Sequence, residues 1–142
     1  MAGMSNTLID KIVNATTPTG AAGIPGTYTA YSASAMKVRL NSTASSAASA
    51  GTEITGTGYT AGGTALANAI TASSGGTGVT LPATTALSWT NTSGGAWSIV
   101  SFDLTDNAGA RAWFGNFNGQ PISVANGNTF QIAVAGISIN AA

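Results

Sequence analysis

Residues 93–117 read SGGAWSIVSFDLTDNAGARAWFGNF, and this stretch decides the fold class. Two runs rich in β-branched and aromatic residues flank Asp106-Asn107-Ala108-Gly109, a set of turn formers. Apolar–polar alternation with period two marks a strand with one buried face. Trp97 and Ile99 are in phase; Val100, Phe102 and Leu104 then occupy the other phase. A one-residue shift turns every later side chain to the opposite face. The switch predicts a β-bulge, the preferred reading, or a passage between two packed sheets. Burial of the strand on both faces is the alternative.

The same logic extends outward. In NTFQIAVAGISI, 128–139, Phe130, Ile132 and Val134 share a phase before Ile137 and Ile139 switch, with Gly136 at the switch and Asn126-Gly127 as the preceding turn. Upstream, Met36, Val38 and Leu40 fall on one face of a strand and Lys37 and Arg39 on the other. STASSAASAGT, 42–52, is small and polar and reads as a flexible loop. Further strands are expected around Ala65–Ala72, before Pro82, and at Leu87–Thr90. Near the start, Ser5 is an N-cap candidate for a short helix whose stripe is Leu8, Ile9, Ile12 and Val13, with Asp10 and Lys11 opposite and Pro18 ending it. About ten residues of helix are marginal alone in water. The stripe must therefore be buried, on the β body or on another subunit. These elements predict a single all-β domain, an antiparallel β-sandwich of which a jelly roll is one form. Its N-terminal helix or arm would span 1–18 and its sandwich body 27–142.

Composition narrows function. Charged residues make up 6% of the 142, with four Lys/Arg against four Asp/Glu, where a soluble domain ordinarily carries roughly a quarter. Little repulsion keeps copies apart, and polarity comes from Ser, Thr and Asn. Such a surface suits a subunit covered by its neighbours, so a homo-oligomer is expected. Lys37 and Arg39 are too few for a nucleic-acid footprint. No apolar run approaches the ~20 residues of a membrane span. The opening MAGMSNTLIDKIVNATT lacks the basic and apolar regions of a signal peptide. There is no cysteine, hence neither disulfide nor thiolate site.

Catalytic chemistry finds few carriers. Histidine, the usual base and metal ligand, is absent. A Ser–Lys pair could draw only on Lys11 or Lys37. Asp103 and Asp106 could form a calcium turn, but D-x-x-D-N does not match the EF-hand loop. An Asx-turn at Asp106-Asn107, with Asp103 paired to Arg111, is the simpler reading. Asp10 and Glu53 are isolated, whereas a glycosidase needs two converging acids. Gly56–Ala61 satisfies G-x-G-x-x-A formally, yet Gly62-Gly63 would break the helix that the mechanism requires. Asn14, Asn41 and Asn91 begin formal glycosylation sequons. Trp89, Trp97, Trp113 and Phe117 could form a sugar platform, although aromatics on alternating strands serve more often as core or interface anchors. No enzyme is expected, and neither cofactor nor metal.

The order of segments adds a resemblance. MSNTLIDKIVNATT (4–17), MKVRLN (36–41) and GTEITGTGYT (51–60) resemble the start of a family of small tailed-bacteriophage virion structural proteins. SGGAWSIVSFDLTDNAGARAWFGNFN (93–118) and ISVANGNTFQIAVAGISI (122–139) resemble its end. GIPGTYTAYSASA, before the first strand, is longer than that pattern. Family members are labelled minor capsid, decoration or tail-fibre proteins. The resemblance implies a virion protein, assembled in the bacterial host cytoplasm. It would be a capsid decoration (cement) protein on the major capsid protein, a trimer by analogy with local three-fold sites. The alternative is a tail or fibre subunit that contacts host glycans. Leu8, Ile9, Ile12, Val13, Trp97, Trp113 and Phe117 are the expected interface residues; the family brings no catalytic ones.

Overall fold

The computed structural model describes residues 36–66, 85–106, 108–134 and 136–137, and outside these only the backbone of short strands. Along the chain the strands are β1 (Ala2–Met4), β2 (Pro18–Thr19), β3 (Ile24–Pro25), β4 (Lys37–Asn41), β5 (Thr64–Ala65), β6 (Gly78–Leu81), β7 (Leu87–Thr90), β8 (Trp97–Ile99), β9 (Ser101–Thr105), β10 (Arg111–Asn116), β11 (Ile122–Val124), β12 (Thr129–Ile132) and β13 (Ile137–Asn140). The described structure is all-β and every pairing in it is antiparallel. It contains no helix among the described residues. The expected helix, with Leu8, Ile9, Ile12 and Val13, lies outside them.

One five-stranded sheet, in the order β1-β10-β9-β4-β5, carries β9 at its centre. Its two faces differ in chemistry because strand partners share a face. Val38 lies opposite Leu104 and Leu40 opposite Phe102, which makes one face apolar. Arg39 lies opposite Asp103 and Asn41 opposite Ser101, which makes the other polar. All five residues of β9 are buried. The preferred bulge at Ile99/Val100 is therefore corrected. The chain leaves the β8–β11 ladder at Val100 and enters the five-stranded sheet, where it is covered on both sides.

A bulge does occur, between Arg111 and Trp113 in β10. At i, i+2 these residues would share a face. The extra residue, Ala112, puts Arg111 opposite Thr105 on the polar face and Trp113 opposite Leu104 on the apolar one. The second expected bulge, at Gly136, is likewise a passage between ladders: β12 pairs with β7, while β13 pairs with β6. A turn closed by the Gly136 N–H on the Ala133 carbonyl separates them. Val134, expected in phase with Phe130 and Ile132, sits in that connection and is 48% exposed. Strand β11 had no counterpart in the sequence reading.

The ladders alternate as their sequences predict. Leu87 and Trp89 of β7 are buried, as are Trp97 and Ile99 of β8, with Ser88 and Ser98 outward. Ile132, Val124 and Ile137 join them and the apolar face of the large sheet in one core. Aromatic rings connect the two parts. Phe102 of β9 meets Phe117 at 5.4 Å between centroids, Phe117 meets Phe130 at 5.5 Å, and Phe130 stacks on Trp89 at 5.9 Å. Such pairs add about 0.5–1.5 kcal/mol beyond burial. Trp89 also donates from Nε1 to Thr64 Oγ1 at 2.7 Å, fixing the tip of β5.

The ring of Phe102 occupies the space above Gly115, its partner across the sheet. A Cβ at Gly115 would stand 2.5 Å from that ring. Gly115→Ala should cost about 1–3 kcal/mol in urea unfolding through overpacking. Phe102→Leu in the same chain should recover part of it, so the double-mutant cycle should be strongly non-additive.

Candidate functional site

Three charged residues, Arg39, Asp103 and Arg111, converge on the polar face of the central strands. Asp103 is fully buried. Its Oδ2 accepts from Arg39 Nη2 at 2.6 Å and from Asn41 Nδ2 at 3.0 Å, and its Oδ1 lies 3.5 Å from Arg111 Nη1. The expected Arg111 partnership is present, but Arg39, directly opposite on β4, is the closer partner. A buried carboxylate costs several kcal/mol in lost hydration unless paired and hydrogen-bonded, and here it is both.

The lid over this cluster is the 42–52 segment. It is not the flexible connector expected but a loop closed by Ser42 N–H to Thr52 O at 2.7 Å and Thr52 N–H to Thr43 Oγ1 at 2.7 Å. Polar side chains of the sheet bind its backbone. Ser101 Oγ donates to Thr43 O at 2.7 Å; Arg111 donates to Ser49 O at 2.8 Å and Ala47 O at 3.1 Å. Asn116 both accepts from Ser45 N at 3.0 Å and donates to Ser45 O at 3.1 Å. Ser45, 3% exposed, inserts its hydroxyl between Asn41 and Ser101. The Arg111 guanidinium also sits 5.4 Å over the Phe114 ring on this face.

Two other carboxylates, Glu53 and Asp106, are occupied locally. Glu53 Oε1 accepts from Tyr59 OH and from the Gly62 N–H, both at 2.7 Å. Tyr59 OH accepts in turn from Leu40 N–H at 3.1 Å. Burial first, and then the bond to Glu53, raise the Tyr59 pKa far above its usual value, so the phenol stays a neutral donor. Asp106 Oδ1 accepts from Ala110 N–H at 2.8 Å and closes the β9–β10 turn, in which Gly109 adopts φ 87°. Asp103 and Asp106 are thus engaged in separate interactions. Among the described residues no group of three or more His, Cys, Asp or Glu could hold a metal, and no helix is long and apolar enough to cross a membrane.

Two sequons prove structural. Asn41 and Asn91 are both fully buried. Asn91 donates to the Gly95 and Val124 carbonyls at 2.7 Å each and accepts from Ser93, which ties the β7–β8 connection to β11. Neither amide can receive a glycan in the folded state.

Of the expected interface residues, Trp97 is only 4% exposed and belongs to the protein's own core, so it has almost no surface to offer a partner. Trp113 and Phe117 are half-buried against that core. Leu8, Ile9, Ile12 and Val13 lie outside the described residues. Trp89 is also core, at 3% exposure, so the four aromatics do not form one platform. What the surface offers is an open groove of about 440 Å³ flanked by Phe117, Phe130, Asn118 and Gln131. No charged residue lines it, so it can engage neutral partners by ring contact and amide hydrogen bonds. Searches of family models, curated proteins and solved structures give no match to this chain.

Sequence reading missed Asn41, Ser45, Ser101 and Asn116. Alternation puts Asn41 in phase with Arg39 on one strand and Ser101 in phase with Asp103 on another, but polar residues on a strand face ordinarily signal solvent. Asp103→Asn should cost about 3–5 kcal/mol by leaving two guanidiniums without a counter-charge. The 21% exposure of the Arg39 side chain places the loss toward the lower end. Urea unfolding checks it; a loss under about 1 kcal/mol would show a surface-type pair.

Proposed function

We propose that this chain is a structural protein of a tailed-phage virion, a decoration protein that binds the outer surface of the major capsid protein shell and stabilises it. The observation that carries the reading is where the charge goes. Asp103 is spent on Arg39 and Arg111, Glu53 on Tyr59 and Gly62, and Asp106 on its own turn. Among the described residues this leaves, apart from Lys37, an exterior made mainly of Ser, Thr, Asn and small apolar residues. Such a surface loses little on desolvation when several neighbours cover it. The segment resemblance supports the same reading, with the body as an antiparallel β-sandwich, the copies as a trimer and no enzymatic role.

The mechanism is area burial. A filled shell is pushed outward, and a protein bridging shell subunits opposes their separation by the contact they would have to give up. About 400 Å² of apolar contact, at ~25 cal/mol per Å², contributes roughly 10 kcal/mol gross. Association entropy and side-chain ordering remove a large share. A copy must therefore touch more than one subunit.

A second reading, a tail or fibre subunit, is favoured by the uncharged groove, where Phe117 and Phe130 stand beside Asn118 and Gln131. Rings flanked by amides suit a neutral host glycan. Stoichiometry separates the two: quantitative mass spectrometry of purified particles should give hundreds of copies for a shell protein, against a few to a few dozen for a tail subunit. A protein that stays monomeric at high concentration and is absent from particles would overturn both.

The N-terminal stripe offers an independent check. Ile12→Asp should leave the free fold and its melting temperature intact while releasing the protein from particles, read by sedimentation with shells. Unfolding of the free variant would mean that the stripe serves the protein's own body.

A further inference from the structure

We infer that residues 55–63 are an excursion out of an edge strand, and that it keeps the large sheet from extending into a second copy of this chain. The segments on either side of it lie along one edge of β4 and run in the same direction. Glu53 bridges to Asn41, and the Ile54 N–H donates to Leu40 O at 3.0 Å. Thr64 and Ala65 pair with Val38 and Lys37, and the Leu66 N–H donates to Met36 O at 2.8 Å. From Ile54 to Thr64 the chain advances ten residues but only two positions along β4, from Leu40 to Val38. Both steps are even, so the phase is kept. Ile54 and Leu66 are both buried in the core, and Thr64 meets the Trp89 indole N–H.

Within the gap a side chain stands in for the missing strand. Tyr59 OH accepts from the Leu40 N–H at 3.1 Å, where a regular antiparallel pair would use the Ile54 carbonyl. Glu53 Oε1 holds the phenol and the Gly62 N–H. The excursion is also fastened to the β7–β8 connection: the Thr92 N–H donates to Thr57 O at 3.1 Å. Gly58, at φ 94°, lies so close to Thr90 that a Cβ would stand 1.9 Å from its carbonyl oxygen.

Without the excursion, residues 52–55 would run directly into 64–66 as one edge strand of seven residues. Its outward row of N–H and C=O groups would be a template for another chain. Edges are ordinarily blunted by charge, by proline or by brevity. Glu53 is the one charged residue on these two segments, and its carboxylate is turned onto Tyr59 and Gly62. Brevity is what remains, and the excursion supplies it by leaving two stubs of three residues. This device is independent of any role in a virion.

Deleting 56–63 joins Thr55 to Thr64 in phase and tests the inference. The variant should keep its β spectrum and cooperative melting, yet grow with concentration beyond the wild-type size in light scattering. Adding Thr55→Pro should return it to the wild-type size. Residue 55 then lies opposite Arg39, so its N–H points away from β4 and its loss removes only an outward donor. A folded deletion variant with the wild-type size distribution overturns the inference, as does growth that the proline leaves unchanged. Should the deletion not fold, Tyr59→Phe decides, because it keeps the ring on the core. Hydrogen exchange at the Leu40 amide should quicken by up to about tenfold, with growth beyond the wild-type size. Unchanged exchange, or faster exchange at the wild-type size, overturns it.

Discussion

The buried pairing of Asp103 with Arg39 is the constraint around which the described structure is organised. A carboxylate at the centre of the middle strand is tolerable only if its neighbours on both sides supply donors. That requirement fixes the β4–β9 register, because a slip of one residue would send Arg39 to the apolar face and take from Asp103 its closest donor. It also gives the bulge at Ala112 a purpose. Without the extra residue, Arg111 and Trp113 would compete for one face; with it, the guanidinium joins the carboxylate and the indole joins the core.

Covering the polar face is the second consequence. Buried amides, hydroxyls and guanidiniums need partners, and the 42–52 loop supplies them mainly from its backbone. Small residues suit this task. Ser, Ala and Gly let the loop backbone approach the sheet closely: a Cβ on Gly51 would stand 2.7 Å from the Cβ of Asn41 in β4. The loop is thus a second layer over one side of the sheet, made of backbone rather than of side chains. On the other side, the aromatic chain from Phe102 to Trp89 joins the sheet to the ladders by packing alone. The described structure therefore holds two different kinds of interior.

This division bears on the proposed virion role. A protein with so few ionic groups could have displayed them for solubility. Among the described residues it engages all of them except Lys37 in bonds within its own chain instead, and what faces outward is nearly neutral. Association with neighbours then meets little electrostatic opposition. The specificity of that association must come from shape and from short hydrogen-bonding side chains.

Period-two alternation made the strands at Lys37–Asn41, Leu87–Thr90 and Arg111–Asn116 legible, along with the all-β class, because it depends only on which side chains avoid water. The turns at Asp106–Ala110 and Asn126-Gly127 were legible for a similar local reason, the backbone preferences of Asp, Asn and Gly. The phase switches were visible too, yet a bulge and a change of sheet leave the same trace in one dimension; pairing partners far along the chain separate them. The candidate site was hidden more deeply. Arg39, Asn41, Ser101 and Asp103 look like a solvated face, and a loop of small residues looks unattached. Only their meeting across some sixty residues of chain (Arg39 and Asp103 are 64 apart) turns polarity into an interior, because burial is a property of what lies opposite and no residue carries that information alone.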